Sequence, residues 1–86
     1  MRLLLTERFR QAYRALSTED RERAQKALRL MAENLRDPSL RVKRIEGTGK
    51  IWEARASRSL RITFEMTQDA LVLRNVGRHD AALRKP

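Results

Sequence analysis

The chain has 86 residues, a length that predicts one small domain over residues 1–86. It contains no cysteine, which excludes disulfides and thiolate metal sites. Twenty lysine and arginine residues against eleven acidic residues give a net charge of +9. A field of this sign attracts polyanions such as RNA, DNA or an acidic protein surface.

The N-terminal residues predict a short strand followed by a helix. Leu3, Leu4 and Leu5 form an apolar run, and Thr6 is a typical N-cap with Glu7 in the first turn. Apolar residues at helical spacing follow: Phe9, Ala12, Tyr13 and Leu16. Because the leucine run is short and charged residues follow at once, we expect no signal peptide, no membrane span and a cytoplasmic location.

A second helix follows after a short break. Residues 17–20, Ser-Thr-Glu-Asp, interrupt the first helix and can cap the next one. Its expected buried stripe is Ala24, Ala27, Leu28, Met31 and Leu35. Asp37 ends this helix because a residue before proline is disfavoured in the α region. Two helices with so short a break predict an antiparallel helix hairpin.

From Leu40 the hydrophobic period changes from helical to alternating, which predicts strands. The first would run from Leu40 to Ile45, and a turn at residues 47–49 follows. Three further strands are predicted in the segments IWEARAS, LRITFEM and ALVLRNV. The predicted fold class is therefore α+β, with a short N-terminal strand, an antiparallel helix hairpin and then a three- to four-stranded antiparallel sheet.

One face of this sheet would pack on the helices, and the other would be polar and exposed. The polar face carries Glu53, Arg55, Arg61 and Thr63 by alternation. The basic residues around it are Arg41, Lys43, Arg44, Lys50, Arg55, Arg58 and Arg61, against only Glu46 and Glu53. Two interpretations remain open: a solvated charged surface, or a face on which a bound anion relieves the repulsion.

The segments LRVKRIEGTGKIWEARASRSLRITFEM and LVLRNVGRHD resemble the RelE/ParE superfamily of toxins from type II toxin–antitoxin pairs. The upstream patterns F..AYRAL and A..AL..M..NL.DPSL are also similar, so the resemblance covers essentially the whole chain. It implies the RelE/ParE-like fold. Many members cut mRNA, often in the ribosomal A site, whereas the ParE branch inhibits DNA gyrase. A cognate antitoxin protein neutralises the toxin.

The resemblance also implies a catalytic site on the polar face. Arg61 lies where nucleases of this superfamily carry an arginine that grips the scissile phosphate, and Arg55 is its neighbour on the next strand. His79 follows the last strand, where such nucleases place a catalytic histidine or arginine, and an imidazole can exchange protons near neutral pH. Glu53 is either a general base or the partner of a structural ion pair.

The expected RNA-binding residues are Lys43, Arg44, Lys50, Arg58 and Arg78. The sequence departs from the superfamily in two ways. It has no C-terminal tyrosine, and Ile51 and Glu53 stand where the best-known member has a lysine pair. We expect no cofactor and no metal, since no phosphate loop or metal-ligand cluster is present in the sequence.

Three classes of function therefore remain. The first is a metal-independent endoribonuclease that cleaves mRNA, which we expect it to do on the ribosome, and so inhibits translation. The second is a gyrase inhibitor without catalysis, for which His79 is dispensable. The third is a catalytically inactive nucleic-acid-binding module, which the missing tyrosine favours. The two toxin classes imply an antitoxin partner, and none of the three implies a membrane.

Overall fold

The computed structural model describes residues 1–86 and contains one mixed sheet between two helices on one face and a short helix on the other. The elements in chain order are β1 (Arg2–Leu5), α1 (Glu7–Arg14), α2 (Thr18–Glu33), a 3₁₀-helix (Pro38–Leu40), β2 (Lys43–Arg44), β3 (Ile51–Arg55), β4 (Leu60–Met66), β5 (Ala70–Arg78) and α3 (His79–Arg84). The predicted α+β class is confirmed. None of the helices has the length and apolarity that crossing a membrane requires.

The sheet has the strand order β1-β5-β4-β3-β2. Strands β2 to β5 pair antiparallel, as predicted, and β1 pairs parallel to β5 with Leu3 opposite Leu71. The N-terminal strand therefore extends the sheet to five strands. It also fixes the start of the chain beside the strand that leads into α3.

Both predicted helix N-termini are confirmed by their capping hydrogen bonds. Thr6 Oγ1 accepts from the backbone N–H of Phe9 at 3.1 Å, and Ser17 Oγ accepts from that of Asp20 at 3.1 Å. Helix α2 ends at Glu33, earlier than the predicted end at Asp37. Asp37 instead caps the 3₁₀-helix by accepting from the backbone N–H of Ser39.

The hydrophobic core lies between the sheet and the first two helices. Phe9 of α1, Met31 of α2, and Ile62, Phe64 and Leu73 of the sheet are essentially inaccessible to solvent. Each such side chain contributes about 1.5–3 kcal/mol by burial. This layer holds β3, β4 and β5 in the register that determines where their polar side chains meet.

The strand predicted to begin at Leu40 is wrong at its start. Leu40 belongs to the 3₁₀-helix, where its side chain is buried in the core, and β2 contains only Lys43 and Arg44. Arg41 adopts a left-handed conformation, with φ of 46°, between the two elements. Burial of Leu40 after the Asp37–Pro38 turn thus outweighs the alternating pattern.

The polar face of the sheet is covered, contrary to the prediction of an exposed face. Helix α3 packs on β4 and β5, with Ala82 buried. The Pro86 carbonyl accepts hydrogen bonds from Thr63 Oγ1 and from Arg74 Nε, both at 3.0 Å. Thr63 is buried beneath these residues, and Glu53, which lies opposite Thr63 in the sheet, is buried too. Covering by the C-terminal residues was missed because it depends on tertiary contacts of small side chains and backbone carbonyls.

Candidate phosphate-binding and catalytic site

Residues from three strands meet at the end of the sheet where β3 turns into β4. We call residues 56–59 the β3–β4 turn. Arg55 ends β3 directly opposite Arg61 of β4. The backbone N–H of His79 donates to the Ser59 carbonyl at 2.8 Å, which fixes the start of α3 against this turn. We refer to Arg55, Arg58, Arg61 and His79 as the turn cluster.

Arg61 is held by the turn itself. Its Nη1 donates to the carbonyls of Ser57 at 2.9 Å, Leu60 at 3.2 Å and Arg58 at 3.3 Å, and its side chain is 13% exposed. Its Nη2 makes no hydrogen bond within the protein. A guanidinium has three nitrogens with five N–H donors. In Arg61, Nη1 holds the turn and Nε faces Glu53, so Nη2 is free for a ligand.

Glu53 is the acidic partner of Arg61. Its Oε1 lies 3.7 Å from Arg61 Nε, and its side chain is 8% exposed. Lys43 of β2 lies opposite Glu53 in the sheet. A nearly buried carboxylate beside a guanidinium is well placed to fix the orientation of Arg61.

Arg55 and Arg58 carry positive charges without acidic partners. Arg55 donates from Nε to the Ser57 carbonyl at 3.3 Å, and Arg58 is exposed in the turn. Desolvation first, and then the charges of Arg41, Arg61 and Arg58, lower the pKa of Arg55 from its usual value. Both effects disfavour the charged guanidinium, and a bound anion would offset them.

His79 lies at the N-terminal end of α3 with its side chain 52% exposed. Its Nδ1 is 3.2 Å from Asp80 Oδ1. Adjacent residues of a strand point apart, but His79 and Asp80 begin a helix, so their side chains can meet. In the tautomer with hydrogen on Nδ1, His79 donates to the Asp80 carboxylate, and Nε2 makes no hydrogen bond within the protein.

Arg78 is directed away from the polar face. Its Nη1 donates to Ser59 Oγ at 2.7 Å, and its Nη2 lies 3.6 Å from Asp20 Oδ2. Asp20 is buried and also binds Arg23 at 3.1 Å. Arg78 therefore borders the turn cluster while it links the turn to α2.

The other three predicted RNA-binding residues are not brought together with the turn cluster. Arg44 projects to the helix side of the sheet, with Cζ 6.0 Å from the centre of the Trp52 ring. Lys50 binds Glu65 at 3.4 Å at the opposite end of β4. Lys43 lies on the short edge strand opposite Glu53, and it forms no ion pair with that residue.

Sequence reasoning missed the groups that hold this site together. The carbonyls of Ser57, Arg58 and Ser59 fix Arg61 and His79, and backbone acceptors leave no signal in a sequence. The Ser-Arg-Ser composition of the turn was the available indication. No group of three or more histidine and acidic side chains is arranged to hold a metal ion.

Compared by sequence, the chain matches no protein-family model and no curated protein. Solved structures do match in fold. YafQ from E. coli superimposes with a TM-score of 0.78 at 11% identity, over 94% of this chain and 97% of that chain. A chain of the RelB–RelE antitoxin–toxin complex from Methanococcus jannaschii gives 0.74 at 19% identity, over 91% and 92%.

The isolated RelE toxin of E. coli gives a TM-score of 0.69 at 20% identity, over 90% of this chain and 82% of that chain. These similarities extend over nearly the whole of this chain. They confirm the predicted fold, which this chain shares with RelE and YafQ.

Proposed function

We propose that this protein is the toxin of a type II toxin–antitoxin pair and that it cleaves mRNA without a metal ion. The observation that carries the proposal is the turn cluster, in which the backbone of a half-exposed histidine is fixed to the turn that bears or adjoins three arginines. The fold shared with solved toxins supports it. On this proposal the protein acts in the cytoplasm, where mRNA is translated.

Cleavage of RNA without a metal requires the 2′-hydroxyl to attack the adjacent phosphorus while the bond to the leaving 5′-oxygen breaks. The phosphate then gains charge, which cations stabilise. Arg55 and Arg58 would approach the phosphate from the exposed side of the turn. Arg61 would contribute its free Nη2, while its Nη1 keeps the turn in place.

His79 would transfer the proton in this reaction. With Nδ1 directed at Asp80, its Nε2 can donate a proton to the leaving 5′-oxygen or accept one from the 2′-hydroxyl, and solvent water at this half-exposed site would exchange the other proton. Glu53 is nearly buried and faces Arg61, so we propose that it acts as a positioning residue for that guanidinium. Lys43, Arg44, Lys50 and Arg78 would contribute to RNA binding only through the general positive field.

A catalytically inactive binding module is the second candidate. It is favoured by the low exposure of Arg61, 13%, together with the three carbonyls that already occupy its Nη1. In this alternative, Arg61 only maintains the turn, and the exposed arginines bind nucleic acid without cleavage. A ParE-like inhibitor of gyrase would likewise need no reactive His79.

The proposed partner is an antitoxin whose acidic or amphipathic segment covers part of this basic surface. RelE of Methanococcus jannaschii was solved in an antitoxin–toxin complex with RelB. A net charge of +9 favours association with an acidic partner. Co-expression with the product of a small adjacent open reading frame should abolish growth arrest if this partner exists.

Growth arrest on induced expression tests the function, with primer extension on a reporter mRNA. Wild type is compared with His79→Ala and Arg61→Ala, and Arg84→Ala on the exposed side of α3 is the control. Arrest with discrete cuts that both site variants lose supports the ribonuclease. Arrest with intact mRNA favours gyrase inhibition. If the folded protein causes no growth arrest, the result favours the catalytically inactive binding module.

A further inference from the structure

A second group of positive charges, which shares Arg55 and Arg58 with the turn cluster, borders the β3–β4 turn on the side of α2. It surrounds a cavity of about 350 Å³ between α2, the 3₁₀-helix and the turn. The polar residues that line it are Arg23, Lys26, Ser39, Arg55, Ser57 and Arg58. We call this cavity the α2 cleft. Its volume falls within the range of about 300–1,000 Å³ that is usual for small-ligand sites.

The charge of the α2 cleft is largely uncompensated. No acidic residue lines it, and Lys26, Arg55 and Arg58 take part in no ion pair. Arg23 alone is paired, with Glu19 at 3.8 Å and Asp20 at 3.1 Å. Uncompensated positive charges held at the wall of one cavity repel each other, and an anion bound there would remove that repulsion.

The floor and the hydroxyls of the cleft also suit a phosphate. Ala27 and Leu40, which are buried, form an apolar floor that strengthens the interaction of the surrounding charges with an anion. The Ser57 hydroxyl makes no hydrogen bond within the protein and can donate to a phosphate oxygen. Guanidinium groups bind phosphate through paired N–H donors, and Arg23 supplies such a group beside the Lys26 ammonium. Arg55 and Arg58 lie between the cleft and the scissile phosphate.

The cleft and the turn cluster share one wall. The carbonyls of the β3–β4 turn hold Arg61 and His79 on one side, while Arg55, Ser57 and Arg58 of the same segment line the cleft on the other. A single strand that places one phosphate at His79 can therefore pass over the turn. The next phosphates along that strand then reach the cleft.

We infer that the α2 cleft binds a backbone phosphate of the same RNA strand whose scissile phosphate lies at the turn cluster. The inference rests on the proposed function and adds Lys26 and Arg23 to the RNA-binding residues. Such a contact carries no sequence information. It fixes the register of the strand and contributes affinity that falls with salt. We infer RNA rather than an acidic protein as the ligand of the cleft, because guanidinium groups and a serine hydroxyl together can donate hydrogen bonds to several oxygens of one tetrahedral phosphate.

The test measures binding of a short single-stranded RNA with 2′-O-methyl riboses, which cannot be cleaved, by fluorescence anisotropy over a series of salt concentrations. Lys26→Gln and Arg23→Gln, which lie in the cleft and outside the turn cluster, are compared with wild type. Arg29→Gln is the matched control, because Arg29 is an exposed residue of α2 outside the cleft and loses the same charge. Loss of one phosphate contact should reduce the slope of log K against log salt by about 0.7.

We expect both cleft variants to show this smaller slope and weaker binding for every RNA sequence, and Arg29→Gln to keep the wild-type slope. Wild-type slopes in both cleft variants would overturn the inference and leave the proposed function standing. Equal losses in Arg29→Gln would also overturn it, since a long-range field would then explain the effect. Absence of RNA binding by wild type would refute the proposed function itself. Loss of antitoxin binding alone would assign the cleft to a protein partner.

Discussion

The two ends of the sheet face beneath α3 use charge in opposite ways. At the end away from the β3–β4 turn, Glu65 binds Arg74 at 2.5 Å and Lys50 at 3.4 Å, so both cations have an acidic partner. At the end near the turn, Arg55 and Arg58 have no acidic partner, and Glu53 forms an ion pair only with Arg61, at 3.7 Å. Paired charges hold the sheet and the C-terminal residues together, while unpaired charges remain available for a ligand.

Shifts of pKa express the same difference. The hydrogen bond from Arg74 is the main reason that the pKa of Glu65 lies below its usual value, and the charge of Lys50 adds to it. The pKa of Arg55 is also lowered, first by desolvation and then by neighbouring cations. A lower pKa favours the charged form of a carboxylate but disfavours that of a guanidinium. The same direction therefore indicates a stabilised charge at one end, and a charge disfavoured by desolvation and by neighbouring cations at the other.

The largest expected effect is that of His79→Gln on RNA cleavage. Glutamine retains hydrogen bonding but cannot transfer a proton, so the cleavage rate should fall by about 10²–10⁴-fold. Since His79 is half exposed, thermal stability and RNA affinity should stay at wild-type values. Single-turnover cleavage of a reporter mRNA measures the rate. A cleavage rate within a few-fold of wild type would mean that the proton is transferred elsewhere.

Arg61→Gln should lose both stability and cleavage. The variant removes the donors to the Ser57, Arg58 and Leu60 carbonyls and leaves Glu53 without its cation. The free energy of unfolding should fall by about 1–3 kcal/mol. Urea titration gives the stability, and the same cleavage assay gives the rate. Arg61→Lys keeps the positive charge but loses the paired N–H donors of the guanidinium. Compared with Arg61→Gln, it should retain more of the stability but little more of the cleavage rate.

Much of the fold followed from local sequence signals. The alternation in LRITFEM predicted the limits of β4, and Thr6 and Ser17 predicted the starts of α1 and α2 through their caps. Long-range contacts decided the rest. Burial of Leu40 shortened the next strand, and the contacts of Ala82 and of the Pro86 carbonyl placed α3 over the polar face. Local patterns carry no information about such contacts.

The candidate site divides in the same way. Alternation predicted that Arg55 and Arg61 are neighbours, and the register confirms it. Lys43 and Arg44 are consecutive residues of β2, so their side chains point to opposite sides of the sheet and cannot both belong to one RNA-binding face. The sequence does not indicate which basic residues have acidic partners, because these ion pairs form between different elements. Glu65 of β4 pairs with Arg74 of β5, and Asp20 of α2 pairs with Arg78 of β5.

Glu65→Gln tests the paired end and should change stability without affecting cleavage. The folded-state pKa of Glu65 is lowered, so its contribution is present above the unfolded-state pKa of about 4.3 and is lost as the pH falls through the folded value. At pH 7 the variant should lose about 1–2 kcal/mol. Toward acidic pH its unfolding curve should approach that of wild type. Reduced cleavage by the folded variant would show that the two ends are coupled.

Asp80→Asn should have the smallest effect and sharpens the assignment of His79. The Asp80 side chain is 91% exposed, so its attraction for His79 at 3.2 Å is screened by solvent. We expect the cleavage rate to fall by at most about fivefold, because the carboxylate only favours one tautomer of the imidazole. Asp69→Asn is a matched control, since Asp69 is 74% exposed and pairs with Arg2 at 3.5 Å at the other end of the sheet. If Asp80→Asn instead lowered the rate as far as His79→Gln, the proton transfer would require the pair, and the reactive group at the start of α3 would have to be assigned to both residues together.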